Sequence, residues 1–209
     1  MKIYLASANA NKAAEFRSMA AASAGPGDPA DPAFRVEFAG ASELGGMPAV
    51  VEDAGTFLGN ARKKARALRG RLPEGAWALA DDSGLCVEGL GGAPGVESAY
   101  YAGAAGDPAA NLAKLVRAMR DVPEAGRAAE FVCVLFLCGP AGLERHFEGR
   151  CAGRLAREPR GAGGFGYDPL FIPEGFETTL SEMAQEQKNK VSHRGRAWAS
   201  CFGWLAALG

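Results

Sequence analysis

The nine residues from Glu130 to Cys138, EFVCVLFLC, are the strongest strand signal in the chain, and whatever surrounds them must build a sheet. Lys2 to Ser7 reads as a short buried strand through Ile3, Tyr4 and Leu5, and Arg35 to Phe38 alternates as a second. Ala76 to Ala80 reads as a third strand that stops at the acidic turn Asp81-Asp82-Ser83-Gly84, while His146 to Leu155 is expected as the antiparallel neighbour of EFVCVLFLC. Helices are expected over Asn11 to Ala22, with Phe16 and Met19 on one face, and from a Thr56 cap to Arg69, ended by Gly70. Two more fit Ala109 to Arg120 and Arg194 to Leu208, the last packing Trp198, Cys201, Phe202 and Leu205. Strands and helices interleave, but some adjacent strands lack a crossover helix, so the expected fold is α/β with a mixed sheet. The Pro/Gly/Asp stretch at 23–33 reads as a surface loop.

With 209 residues the chain can form one substantial core or two lobes sharing one, and it is read as a single domain over 1–209. A formal charge of −1 excludes the broad basic footprint of a nucleic-acid polymer binder, so any phosphate attraction is local and the ligand small. The five cysteines (86, 133, 138, 151 and 201) show neither C-x-x-C nor metal-ligand spacing and read as reduced thiols. The opening MKIYLASAN is too short an apolar stretch for a signal peptide or a membrane span, so no membrane association and a reducing cytoplasm are expected.

Four constellations carry chemistry. Ser7-Ala8-Asn9-Ala10-Asn11-Lys12 lies where the first strand hands over to the first helix, and outward N–H groups there suit phosphate. Asp81 and Asp82 are successive residues at a strand, so they point to opposite sides and do different jobs; one can face a metal such as Mg²⁺. Glu52 and Lys64 stand either side of the second helix's start. The last is RGAGGFGYDPLFIP followed by KNKVSHR, where glycines free the backbone, Phe165 and Tyr167 offer flat faces, and Lys188, His193 and Arg194 offer charge. Together they suggest a site for a phosphorylated aromatic ligand. Gly161 to Gly166 also satisfies G-x-G-x-x-G, but Pro159 precedes it and Pro169 follows it, so the strand and helix of a dinucleotide fold are absent and that reading fails.

In order and spacing these segments resemble the inosine triphosphate pyrophosphatase family, whose members hydrolyse noncanonical purine nucleoside triphosphates to the monophosphate and pyrophosphate. The likeness runs from SANANK through Glu52, TFLGNARKKA, ADDSGLCVEGLGGAPGVESAYYAG and EFVCVLFL to GGFGYDPLFIP and KNKVSHR. It implies an elongated mixed α/β sheet flanked by helices, two lobes with a central cleft, and usually a homodimer. By the same resemblance, Ser7 to Lys12 would hold the triphosphate, with Lys64 and Lys188 as further substrate contacts and Ser83 another. Asp82 would be proton acceptor and metal ligand, with Glu52 the second metal acid and Mg²⁺ the ion. Phe165, Gly166, Tyr167, Asp168, His193 and Arg194 would hold the base and its 6-oxo edge. Three departures stand out: Val51 where a second acid usually precedes Glu52, Gly59 where glutamate is common after Leu58, and a longer loop near residue 28. A general or pyrimidine-directed nucleotide pyrophosphatase and a nucleotide-binding module without turnover are the rival readings.

Overall fold

The computed structural model describes residues 1–23, 34–103 and 106–208; all but the first residue of the loop expected at 23–33 lies outside them. Six strands and five α-helices follow in the order β1 (Lys2–Leu5), α1 (Ala10–Ser23), β2 (Glu37–Gly40), α2 (Phe57–Arg69), β3 (Trp77–Val87), α3 (Pro108–Ala118), β4 (Ala128–Cys138), β5 (Glu144–Leu155), β6 (Phe171–Pro173), α4 (Gln185–Val191) and α5 (His193–Ala206) among the described residues. One sheet takes all the strands in the order β2-β1-β3-β4-β5-β6. It is mixed: β1 runs parallel to both β2 and β3, whereas β5 and β6 are antiparallel. The helical links α1 and α2 are what parallel neighbours require.

Two compact units share the chain. The first comprises Met1–Asp82, Val134–Glu148 and Ala197–Gly209, and the second Ser83–Cys133 and Gly149–Arg196. In the first unit, β1 places Ile3 opposite Phe38 of β2 and Trp77 of β3. Phe16 of α1, Phe38 of β2 and Trp198 of α5 meet there, with ring centroids 5.1–6.2 Å apart. Packing of this kind contributes about 0.5–1.5 kcal/mol per ring pair beyond area burial. β2 begins two residues later than its alternation suggests, because Lys2 pairs with Glu37 and the terminal ammonium is spent on the Arg35 carbonyl, 2.6 Å away.

The largest difference from expectation is in β3. The strand does not stop at Asp81 but continues through Asp82-Ser83-Gly84 to Val87. Neutralising lysines make extended carboxylates tolerable there, and Leu85 and Val87 are wholly buried in the core of the second unit. That core also holds Leu115 and Met119 of the α3 region, Phe131 of β4, Leu155 of β5 and Phe171 of β6. At its margin the buried Arg127 donates to the backbone carbonyls of Met119, Val122, Leu155 and Ala156. A guanidinium thereby ties the end of the α3 segment to the end of β5 with no carboxylate in the bond set.

α4 carries no apolar stripe and gives no periodic signal, yet it is a real helix separated from α5 by extended Ser192 (φ −70°, ψ 157°). The Ser192 hydroxyl accepts from Gly195 N at 3.2 Å and so caps α5. A Cβ at residue 195 would run into the Asn189 carbonyl oxygen of α4, so the joint needs glycine. Gly195→Ala is therefore expected to lower stability by about 2–3 kcal/mol through overpacking against rigid backbone, read by urea denaturation against a Gly203→Ala control, where a Cβ meets nothing.

Candidate active site

The turn from β1 into α1 is organised by Asn9. Its side-chain Oδ1 accepts from the N–H groups of Asn11 (3.0 Å) and Lys12 (3.1 Å), and Ser7 Oγ accepts from Asn9 N at 3.1 Å. Ala8, Asn9, Ala10 and Asn11 are exposed at this helix start, and Ser7 and Lys12 are half-buried. Lys12 does not extend into solvent. It forms an ion pair with Asp81, whose side chain is fully buried.

Asp82, the next residue on β3, turns to a different partner, as alternation along a strand demands. Its Oδ1 accepts from Lys64 Nζ at 2.6 Å, and the same ammonium reaches Glu52 Oε2 at 2.8 Å. Lys64 is only 11% exposed, so both bonds form in a weakly screened setting. Burial works against its charge, but Asp82 and Glu52 outweigh that and raise its pKa. The two acids respond in opposite directions. Burial pushes Asp82 up to about 6 despite the attraction of Lys64 and Lys12, and the Glu52 charge adds to the rise. Burial also works to raise Glu52, but the charge and hydrogen bond of Lys64, with Asp82 alongside, leave its carboxyl below the usual range.

A second cluster lies wholly in the second unit. Asp168, 3% exposed, accepts through Oδ2 from Phe165 N (2.8 Å) and from Lys188 Nζ (2.6 Å). This fixes the GGFGYDP loop to α4. Gly164 (φ +67°) is required, because a Cβ there would meet the Asp168 carboxylate. The loop's other end is held by Ser181, whose hydroxyl donates to Gly163 O at 2.6 Å while Gly163 N donates to Ser181 O at 3.0 Å. Phe165 is half-buried, with Lys188 Nζ 5.1 Å and Arg194 Cζ 5.6 Å from its ring centroid. Arg194 also donates to Ser83 Oγ at 3.3 Å. His193 stacks on Phe131, centroids 4.6 Å apart and 8° from parallel.

The sequence residues therefore sort into two sets: Lys12, Glu52, Lys64 and Asp82 with the Ser7–Asn11 turn, and Ser83, Phe165, Gly166, Asp168, Lys188, His193 and Arg194. One expectation needs correction. Tyr167 offers no open face, since its ring is 5% exposed within the second core and its hydroxyl donates to Ser98 O at 2.8 Å. Asp168 is turned toward its own loop and Lys188. Sequence reasoning also gave Asp81 no defined partner, although strand alternation opposite a helix-start lysine was a usable signal.

Asp82 Oδ2 is buried without a hydrogen-bond partner, an open valence beside a second carboxylate. Among the described residues no group of three or more His, Cys, Asp or Glu is placed to hold a metal. Two carboxylates completed by water and phosphate oxygens is the set magnesium favours, so the residues fit that ion.

These features define a mixed α/β protein whose charged side chains are delivered by one long strand, one helix start and one glycine loop. Comparison with known proteins gives the particular lineage. The Ham1 family model matches residues 3–204, and the chain belongs to that family. It is 56% identical over 204 residues to the dITP/XTP pyrophosphatase of Opitutus terrae, covering 98% of each chain. It is 44% identical over 208 residues to the protein of that name from Leifsonia xyli subsp. xyli, covering 100% of this chain and 97% of that one. The Ham1 protein of Staphylococcus aureus superposes with a TM-score of 0.81 at 32% identity over the whole of both chains.

Ionised Asp82 is penalised by the fold. The penalty is absent below the unfolded carboxyl pKa near 4 and complete once pH passes the folded value of about 6. In metal-free protein the stability of Asp82→Asn relative to the wild type is accordingly expected to be more favourable at about pH 7.5 than at about pH 4, because only the wild type carries the penalty of the ionised carboxyl at the higher pH. Urea denaturation of both proteins at both pH values checks this, and a relative stability that falls from about pH 4 to about pH 7.5 would contradict it.

Proposed function

We propose that this protein hydrolyses noncanonical purine nucleoside triphosphates (ITP, XTP and their deoxy forms) to the monophosphate and pyrophosphate, clearing them from the nucleotide pool. The observation that carries this reading is the Glu52–Lys64–Asp82 cluster, with its unsatisfied buried carboxylate oxygen, in a chain so similar to proteins named for that activity. Attack of water at the α-phosphorus needs leaving-group charge neutralised, a water held in line and an acceptor for its proton.

In this reading the Ser7–Asn11 turn and the Lys12 ammonium bind the triphosphate. Lys12 exchanges Asp81 for phosphate oxygens, and Lys64 adds charge from the other side of β3. Glu52 and Asp82 hold magnesium, which when bound supplies positive charge to the phosphate oxygens. Asp82 takes the proton from water, its carboxylate being the group beside Lys64 with an oxygen left to accept. Phe165 stacks on the base, while Arg194, His193, Ser83 and Lys188 face its polar edge. Asp168 and Gly166 set the loop's shape, supported by the Asp168 bonds and the Gly166 φ of +64°. Donors aimed at a 6-oxo group find no match in the 6-amino group of adenine, a mismatch able to discriminate by about 10⁴.

Magnesium dependence, a homodimer and a cytoplasmic setting belong to the same proposal. All five cysteines are free thiols, in keeping with a reducing compartment, and no helix among the described residues is long and apolar enough to cross a membrane.

Pyrophosphate release from ITP is expected with magnesium and not with EDTA; binding without release would favour the non-catalytic module. Asp82→Asn should lower kcat by about 10²–10³ with little change in KM, measured at saturating magnesium. Equal kcat/KM for ITP, XTP, GTP and ATP would replace the proposal with a general nucleotide pyrophosphatase. Phe165→Ala should raise KM for ITP by roughly 5- to 150-fold, as loss of one base–aromatic stack costs about 1–3 kcal/mol, with the pH profile of kcat unchanged.

A further inference from the structure

Glu52 must be in a fixed place, yet residues 47–56 form neither helix nor strand, and Val51, Glu52 and Asp53 are all exposed. Segments of this kind are ordinarily the mobile part of a fold. Here the holds come from one face of α2. Thr56 caps the helix by accepting from Gly59 N at 3.1 Å. One turn on, the buried Asn60 accepts through Oδ1 from Ala54 N at 3.0 Å. One turn further, Lys63 pairs with Asp53 and donates to Val51 O at 3.4 Å, while its neighbour Lys64 takes Glu52. Positions 56, 59/60 and 63/64 recur at the three- and four-residue spacing of a helix face.

Gly59 belongs to this face. A Cβ at 59 would stand 2.5 Å from Ala54 Cβ and 2.9 Å from Thr56 Oγ1, so only glycine lets Ala54 lie against the helix. Glycine at residue 59 is thus tied to the path of the Glu52 segment.

We propose that Lys63 is a positioning residue for Glu52, and that Gly59, Asn60 and Lys63 template the acid-bearing segment so that its carboxylate is set beside Lys64 and Asp82 before any ligand arrives. Lys63 grips the residues immediately before and after Glu52 and leaves Glu52 itself to Lys64. Its ion pair is exposed (side chains 44% and 63%), so it adds little to overall stability. What it restricts is the backbone on either side of one acid, and preset geometry of that kind governs how well a site works. The proposal rests on the reading of Glu52 as a magnesium-holding acid.

The test uses Lys63→Met, Asp53→Asn, the double variant and Lys63→Arg in the full chain. Two readouts are taken: amide hydrogen exchange at Ala54 in metal-free protein, and the magnesium half-saturation of ITP hydrolysis. Each single neutral variant is expected to speed Ala54 exchange and to raise the magnesium half-saturation by about three- to fivefold, the scale of one exposed ion pair. kcat at saturating magnesium should stay within about twofold and Tm within about 3 °C. The double variant should be no worse than either single one, and Lys63→Arg should restore both readouts. Unchanged Ala54 exchange, additive effects in the double variant, or a fall in kcat with unchanged magnesium half-saturation would each overturn the proposal. If wild-type turnover ignores magnesium while Ala54 exchange still accelerates in the variants, the positioning role stands and the metal assignment falls.

Discussion

An ammonium group almost removed from water has to be met by negative charge, and Lys64 meets it twice, at Asp82 and at Glu52. One cation cannot fully satisfy two carboxylates in a weakly polarisable setting, so the more deeply buried acid yields and holds its proton to higher pH. That asymmetry gives the pair two characters from one contact. It also explains the length of β3: with Asp82 neutralised by Lys64 and Asp81 by Lys12, the acidic dipeptide stays extended instead of turning away. Leu85 and Val87 then arrive in the second core on the same strand that delivers the acids.

The second unit solves a related problem with backbone geometry. Asp168 joins Phe165 N to Lys188, and positive-φ glycines let the loop close tightly around that carboxylate. The half-buried Phe165 ring is held by its own main chain, with two cations over its face. Both units thus contain a buried carboxylate–lysine pair, Asp82 with Lys64 in the first and Asp168 with Lys188 in the second.

Much of this was legible in the residues. The apolar runs at 2–5 and 130–138, the Thr56 cap and the Trp198–Leu205 face became the elements their patterns implied, because burial and periodicity are local signals. The grouping of Glu52, Lys64 and Asp82 was visible only as a likeness to a family, since an acid on an irregular segment carries no periodicity. What stayed hidden depended on tertiary context. Asp-Asp-Ser-Gly has the composition of a turn and became strand because distant lysines neutralised it. QEQKNKV has no apolar stripe, and α4 exists through its joint with α5. Tyr167 and Phe165 look alike in sequence, and only packing distinguishes the core ring from the open one.

Arg127 and Lys64 are both buried cations, but they are satisfied by different currencies. Backbone carbonyls surround Arg127, and carbonyls have no proton to gain, so acid leaves that clasp intact. Lys64 depends on carboxylates, and Asp82 gains its proton near pH 6 while Glu52 keeps its charge further into acid, so mild acidification removes one of the two charges facing Lys64 and leaves the carbonyl clasp of Arg127 as it was.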